Sequence, residues 1–258
     1  MSLSYEERKT TIMESLEKEE KVQVRVLANL LHVSDETIRR DLDRLEKEGY
    51  LKKVYGGAIK NKIHSWELPF DEKTTINQKE KQAICKAAAD LVEDGDIIMI
   101  GNGTTPLDMI PFLADKQDIT LITHSVPVML AAMDSFKGRV IFIGGEIERN
   151  QKYMSGPLSE RMLEMLRADK AFVCAGGVSI ANGITDYDIS GSSISRKMME
   201  RAEEVIVLAD HSKFGKTTFA YMCSITDASR IITDQSCPDE WKKIVAARGV
   251  ELIVADEI

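Results

Sequence analysis

At 258 residues the chain is long for one ordinary domain and comfortable for two. With 43% hydrophobic and 29% charged residues it is expected to fold, and its net charge of −8 excludes a protein that coats nucleic acid over its whole surface. Residues 1–62 carry a net +1, so the acidity belongs to the remainder, at −9.

No stretch approaches the ~18 apolar residues of a bilayer span, and the N-terminus is charged from Glu6 onward, with no apolar signal core. Cys85, Cys174, Cys223 and Cys237 lack CxxC spacing, and three of them lie in or beside apolar runs. They read as reduced, buried thiols. A cytoplasmic protein follows, with no membrane segment, no structural metal and no cofactor.

In chain order, Ile12 and Leu16 mark a first amphipathic helix from Tyr5. A second fits "VQVRVLANLL", with Val26, Leu27, Leu30 and Leu31 as its buried stripe. The third follows Ser34, an N-cap residue, with Asp35 and Glu36 on the first turn where the helix dipole favours them. Val33 and Ile38 are spaced as a hydrophobic staple, Leu42 and Leu45 continue the apolar face, and Gly49 marks the end. Thr37, Arg40 and Arg44 share the opposite face, with Arg39 at its flank. That is helix-turn-helix geometry with a recognition helix for the major groove. Taken alone, the helix also reads as a solvated surface carrying i,i+4 charge pairs, given Asp41, Asp43, Glu46 and Lys47.

"YLKKVYGGAIKNK" then reads as a strand–turn–strand wing. Gly56-Gly57 is its expected turn, and Lys52, Lys53, Lys60 and Lys62 are placed to meet the phosphate backbone. Base reading falls to Thr37, Arg39 and Arg40, since arginine bridges guanine O6 and N7. From about Tyr5 to Ala58, and most specifically through "VSDETIRRDLDRLEKEGYLKKVYGGA", the sequence resembles the DeoR family of bacterial transcription regulators.

Residues 59–75, with Pro69, lack periodicity and read as a linker between a DNA-binding domain over 1–58 and an effector domain over 76–258. Trp66 and Phe70 are expected to pack onto a domain rather than stack on bases. Beyond the linker, strand-like runs fall at Asp96–Ile100, Ile119–Ile122, Val140–Ile143, Ala171–Cys174, Val205–Leu208, Arg230–Thr233 and Glu251–Val254. Helical patterns lie between several of them, at Lys79–Leu91, Pro157–Leu166 and Trp241–Ala247. This alternation predicts an α/β fold with a largely parallel sheet, whose ligands gather beyond the strands' carboxyl ends.

Five strand ends carry Gly, hydroxyl or cationic residues. Gly101 and Gly103 in "GNGTTPLDM" allow close backbone approach, Thr105 suits an N-cap and Pro106 suits N1, with Thr104 beside them. The next ends offer Thr123, His124 and Ser125, then Gly144, Gly145, Arg149, Lys152 and Tyr153. The remaining two offer Gly176, Gly177 and Asp186, then Asp210, Ser212, Lys213 and Lys216. Five such loops converging suit a small polyhydroxylated anion such as a sugar phosphate. The phosphate would meet the Gly/Thr loop and Lys213, and the hydroxyls would meet His124, Asp186 or Asp210. Each residue alone also has a structural reading, such as a cap at Asp210.

Residues 76–235 also resemble the DeoR C-terminal sensor domain, through "GNGTT", "SGP", "GIT" and "ADHSKFG". The resemblance implies a Rossmann-like domain similar to ribose-5-phosphate isomerases and CoA transferases. It also implies phosphate contacts at Gly103, Thr104 and Thr105 and a ligand-facing Lys213. In those isomerases a glutamate follows the glycine-rich loop; here the comparable place reads "DISGSSISRKM", with Ser190, Gly191 and Ser192. Aldose–ketose isomerisation needs a carboxylate to move the proton, so the departure weakens catalysis. The expectation is therefore a DNA-binding repressor of sugar metabolism, tuned by a phosphorylated sugar and not an enzyme. A homodimer or homotetramer on double-stranded operator DNA is implied, because one recognition helix reads too few base pairs. A sugar-phosphate isomerase or transferase fused to a DNA-binding module is the rival.

Overall fold

The computed structural model describes residues 4–47, 50–60 and 67–257. The chain divides into two compact units, Met1–Trp66 and Glu67–Ile258. Gly49, Lys62 and Trp66, singled out above, lie outside the described residues.

In the first unit, α1 (Tyr5–Glu19) starts at a capping box. The Ser4 hydroxyl accepts from the Glu7 amide at 3.3 Å, and the Glu7 carboxylate accepts from the Ser4 amide at 2.7 Å. Then follow β1 (Lys21–Gln23), α2 (Val24–Leu31), α3 (Asp35–Lys47), β2 (Leu51–Val54) and β3 (Gly57–Lys60). The second helix is shorter than "VQVRVLANLL" suggested, because Val22 pairs with Ala58 across β1 and β3. Its buried stripe is also corrected, to Val24, Leu27, Ala28 and Leu31, while Val26 and Leu30 are exposed. At about 100° per residue these four share one face, and Val26 and Leu30 fall on the other. Ile38, Leu42 and Leu45 of α3 are fully buried against them.

Asp41, which sequence placed among solvated charges, is buried and paired twice with Arg8 of α1, at 2.7 and 3.0 Å. The wing's two-residue turn is Tyr55–Gly56, not Gly56–Gly57, since Val54 already faces Gly57. Gly56 takes the left-handed conformation (φ 76°). Gly57 serves close approach instead: a Cβ there would lie 2.0 Å from the Val22 carbonyl oxygen. The wing sheet has the order β1-β3-β2, all antiparallel.

The second unit opens with α4 (Phe70–Lys73) and α5 (Gln78–Asp90), then β4 (Ile97–Ile100), α6 (Thr104–Leu107), β5 (Thr120–Thr123), α7 (Val126–Ser135) and β6 (Arg139–Phe142). A hairpin of β7 (Glu146–Glu148) and β8 (Tyr153–Ser155) precedes α8 (Pro157–Glu164) and β9 (Ala168–Cys174). Next come β10 (Gly177–Ser179), β11 (Gly183–Asp186), α9 (Ile189–Glu200) and β12 (Ala202–Leu208). The chain ends with β13 (Ala220–Cys223), β14 (Arg230–Thr233), α10 (Glu240–Ala246) and β15 (Glu251–Val254).

Seven strands form one parallel sheet in the order β15-β14-β12-β9-β4-β5-β6, and they are the seven read from the apolar runs. Alternate residues feed cores on opposite faces. Ile98, Ile100, Phe172, Ile206 and Leu208 meet Ile84 and Ala88 of α5 on one side. Met99, Ala171, Val173 and Val207 meet Leu163, Ile194, Met198 and Trp241 on the other. The antiparallel sheet β10-β11-β13 and the β7–β8 hairpin are additions to the strands expected from sequence. Among the described residues no helix is long and apolar enough to cross a membrane, and all four cysteines are free.

Candidate functional sites

In the first unit α3 projects Arg39 and Arg40 outward, with side chains 56% and 80% exposed and each guanidinium 3.7 Å from Glu36. Such loose exposed pairs hold an arginine weakly and leave its donors accessible. Ser34 and Thr37 also serve the helix itself: the Ser34 hydroxyl accepts from the Thr37 amide at 3.2 Å and lies 2.9 Å from its hydroxyl. Arg44 stacks on the Tyr5 ring, 3.9 Å from its centroid, which ties α3 to α1. On the wing Lys52 is exposed, whereas Lys53 is turned inward. Its ammonium pairs with Asp43 of α3 and its amide donates to Glu46 at 2.7 Å. Tyr55, not singled out from sequence, is fully exposed at the wing tip.

In the second unit the order in which strands are added reverses between β4 and β9. From β4 the order runs outward through β5 and β6, and from β9 through β12, β14 and β15. Loops leaving two neighbouring strands on opposite sides open a crevice there. Gly103 takes φ 133°, and a Cβ on it would lie 2.9 Å from Cys174 Sγ at the end of β9. Thr104 and Thr105 follow, nearly buried, as the first residues of α6. Thr105 is thus not the N-cap: Gly103 holds that position, and Pro106 falls at the third helical residue rather than the first. Proline is tolerated there because first-turn amides have no intrahelical acceptor.

Three lysines act electrostatically on Cys174, and two of them, Lys73 and Lys81, carry no motif that marks them in the sequence. Burial pushes the Cys174 thiol up to about 12, while Lys73, Lys213 and Lys81 pull it down. Lys81, 5% exposed, donates to the Lys73 carbonyl at 2.6 Å. Its own pKa is lowered by burial, with Lys213 and Lys73 adding to the effect and Asp210 opposing it. Burial alone would lower Lys213 too, but Tyr187, Asp210, Cys174 and Glu67 outweigh it and hold the ammonium above its ordinary range. Among the described residues neither Lys81 nor Lys213 makes an ion pair, whereas Lys73 pairs with Glu67. Asp210 caps the turn His211–Lys213, its carboxylate accepting from the Ser212 and Asn77 nitrogens at 3.0 Å each. Burial would raise Asp210, but Lys213 and these donors hold it below the ordinary carboxylate range.

The crevice has an acidic side as well. Asp186 is raised to about 7 by burial first, then by Glu67 and Asp188, with the Tyr187 amide and Lys73 opposing. Asp188 caps α9 and accepts from the Tyr153 hydroxyl at 2.5 Å. Gly191 makes room for all three: a Cβ there would lie 3.0 to 3.4 Å from Asp188 Oδ2, Tyr153 OH and Asp186 Oδ2. His124 is buried and neutral, its pKa lowered to about 3 by desolvation. Its Nε2 lies 3.2 Å from Asn102 Oδ1 in the Gly/Thr loop, and its Nδ1 has no partner.

Other residues selected from sequence have their polar atoms engaged inside the protein. The Thr123 hydroxyl donates to Ile100 O at 2.8 Å and accepts from the Ser125 amide at 3.1 Å, and Ser125 caps α7. The Gly144 carbonyl accepts from Ser159 Oγ at 2.7 Å, and Gly145 lies so close to α8 that a Cβ would fall 2.0 Å from Ser159 Oγ. Gly176 and Gly177 allow β11 and Lys216 to approach the chain leaving β9. Lys152 pairs with Asp71 at 2.5 Å, holding the residues before α5 against this unit.

Two family models match this chain: a DeoR-like helix-turn-helix domain over residues 8–64 and the DeoR C terminal sensor domain over 76–235. The chain is 35% identical to the uncharacterized HTH-type transcriptional regulator YulB of Bacillus subtilis (strain 168), over 95% of each chain. It is 30% identical to the HTH-type transcriptional repressor GlcR of the same organism, covering 98% of this chain and 97% of that one. A lactose phosphotransferase system repressor of Staphylococcus epidermidis is 32% identical, over 92% and 95% of the two chains. Among solved structures, ribose 5-phosphate isomerase A of Methanocaldococcus jannaschii aligns with a TM-score of 0.41 at 21% identity, over 54% of this chain and 55% of that one.

Proposed function

The chain belongs to the DeoR family of DNA-binding transcriptional regulators, and from that premise we propose that it represses a sugar-metabolism operon and is released from its operator by a phosphorylated sugar. One observation carries the effector class. Lys73, Lys81 and Lys213 all act electrostatically on Cys174, which touches Gly103 of the Gly/Thr loop, and Asp186 lies within reach of the same thiol. Lys81 and Lys213 oppose each other's charge, and an anion beside them relieves that repulsion. A phosphate fits that side, and sugar hydroxyls fit the carboxylate side. The sugar need not react: an effector that binds the DNA-incompetent arrangement more tightly shifts the population by its affinity ratio.

On the DNA side Arg39 and Arg40 read base edges, Thr37 and Arg44 flank them, and Lys52 contacts phosphate. A homodimer or homotetramer on paired half-sites about 34 Å apart, or a multiple of that spacing, provides the needed specificity. On this reading the protein acts in the cytoplasm, where a bacterial operator lies. A thermal-shift screen of phosphorylated sugars, with DNA-release assays on the hits, tests the reading. Stabilisation and release by one sugar phosphate, lost in Lys213→Ala, is expected, and indifference to every phosphorylated sugar overturns it.

One observation favours the rival, isomerisation: a carboxyl group poised near 7, as at Asp186, suits proton transfer. Turnover of a pentose or hexose phosphate by the purified protein would establish it.

A further inference from the structure

The residues leading into α5 do more than join the two units. Glu67 is the first residue of the second unit. From there the chain runs to α5 as a strap against the β7–β8 hairpin, which the Phe70 amide fixes to the Asn150 carbonyl at 2.9 Å and Gln151 fixes at the Leu68 carbonyl at 3.0 Å. Lys73 ends α4 with its side chain 17% exposed, paired with Glu67 at 18%. Glu67 in turn acts on both Asp186 and Lys213. One ion pair of the strap therefore lies within electrostatic reach of both sides of the crevice.

We propose that Lys73 is an effector ligand held in reserve by Glu67, and that a bound phosphate and the Glu67 carboxylate compete for it. The inference rests on the reading of the crevice as an anion site. Among the described residues Lys81 and Lys213 make no ion pair, with Asp210 the shared carboxylate acting on both, so an anion entering between them meets a third ammonium that is paired with Glu67. When the anion takes Lys73, Glu67 is left facing Asp186, a like charge that Lys73 no longer offsets. The strap's first residues then lose their electrostatic anchor. Because Glu67 is the first residue of the second unit, occupancy of the crevice is felt at the start of that unit.

The test uses the full chain titrated calorimetrically with inorganic phosphate and separately with a hexose 6-phosphate. Glu67→Gln removes the competitor and is expected to tighten phosphate binding about fivefold. Lys73→Met is expected to weaken it by at least as much. In the wild-type protein, phosphate is expected to speed hydrogen exchange at the Phe70 amide, and Glu67→Gln to exchange fast without phosphate. If Lys213→Ala abolishes phosphate binding while Glu67→Gln binds it like wild type and Phe70 exchange ignores the anion, the competition is overturned and the anion site stands. If phosphate binding is absent from the wild type, or untouched in Lys213→Ala, the crevice reading falls and this inference with it. Should Lys73→Met not fold, Glu67→Gln and the exchange measurement decide alone.

Discussion

Lys81 Nζ lies 2.6 Å from the carbonyl oxygen of Lys73, so the first long helix of the second unit holds the last turn of α4 through a buried ammonium. Burial disfavours that charge in the folded state, which lowers its pKa. Between the folded value and the unfolded value near 10.5, the unfolded chain binds more protons, so stability rises with pH across that window. Lys81→Met is therefore expected to flatten the alkaline limb of the stability–pH curve. It should also weaken phosphate binding by about tenfold or more. Denaturant titrations of both proteins from pH 8 to 10.5, with phosphate calorimetry at pH 7.5, check both effects.

Asp186 shows the opposite dependence. Its folded value near 7 stands above its unfolded value of 3.8, so the folded state holds a proton that the unfolded chain has lost. Stability is undiminished below the unfolded value and falls as pH climbs from about 4 to 7, the full penalty being present above that. Asp186→Asn removes the charge that burial, Glu67 and Asp188 oppose. It is expected to stabilise the protein by about 2 kcal/mol at pH 8 and by little at pH 4. The same change should cost affinity for a sugar phosphate more than for inorganic phosphate, since only the sugar has carbon-bound hydroxyls that extend from the phosphate to the carboxylate. Melts at the two pH values and paired titrations read these out.

The sheet was legible because its central strands are buried on both faces. Ile98, Met99 and Ile100 serve alternate cores, so β4 appears as a continuous apolar run, as do the other six. Strands β7, β8, β10, β11 and β13 were missed for the converse reason. They lie outside the two-sided parallel sheet, and several carry polar residues, such as Glu146, Ser179 and Asp186, that loops also carry. The Gly/Thr loop, Asp210 and Lys213 were visible because each follows an apolar run. Lys73, Lys81 and Asn77 were not, since they precede the first strand of the sheet and reach the crevice only through tertiary packing. Lys81 did leave one signal: Ile84, Cys85 and Ala88 lie three, four and seven residues on, which places a lysine on the buried stripe of α5.

Arg8 and Asp41 make the first unit's principal buried pair, with side chains 12% and 6% exposed. Arg8→Ala leaves the Asp41 carboxylate desolvated and unpaired, at an expected cost of about 3 kcal/mol. Replacing both residues, by Arg8→Met with Asp41→Leu, should recover much of that loss. Because α3 carries the arginines proposed to read DNA, the single variant should also lose operator binding near its lowered melting temperature. Calorimetric melts of the full chain, compared for the single and double variants, distinguish a charge effect from a packing effect.

The structure separates three basic residues that the sequence grouped together. Arg40, 80% exposed against Glu36, is free to reach a base edge. Arg40→Ala should cost about 1–3 kcal/mol on a preferred duplex and flatten the preference at one base position. Lys52 is exposed and should act on phosphate alone: Lys52→Ala should weaken all duplexes alike and reduce the slope of log affinity against log salt by about one. Lys53 is already occupied by Asp43 and Glu46, so Lys53→Ala should alter that slope least and instead loosen the wing from α3. A duplex enriched from a random pool by the wild-type protein, titrated with each variant at several salt concentrations, resolves the three. Equal slopes for Lys52→Ala and Lys53→Ala would show that Lys53 leaves Asp43 when DNA binds.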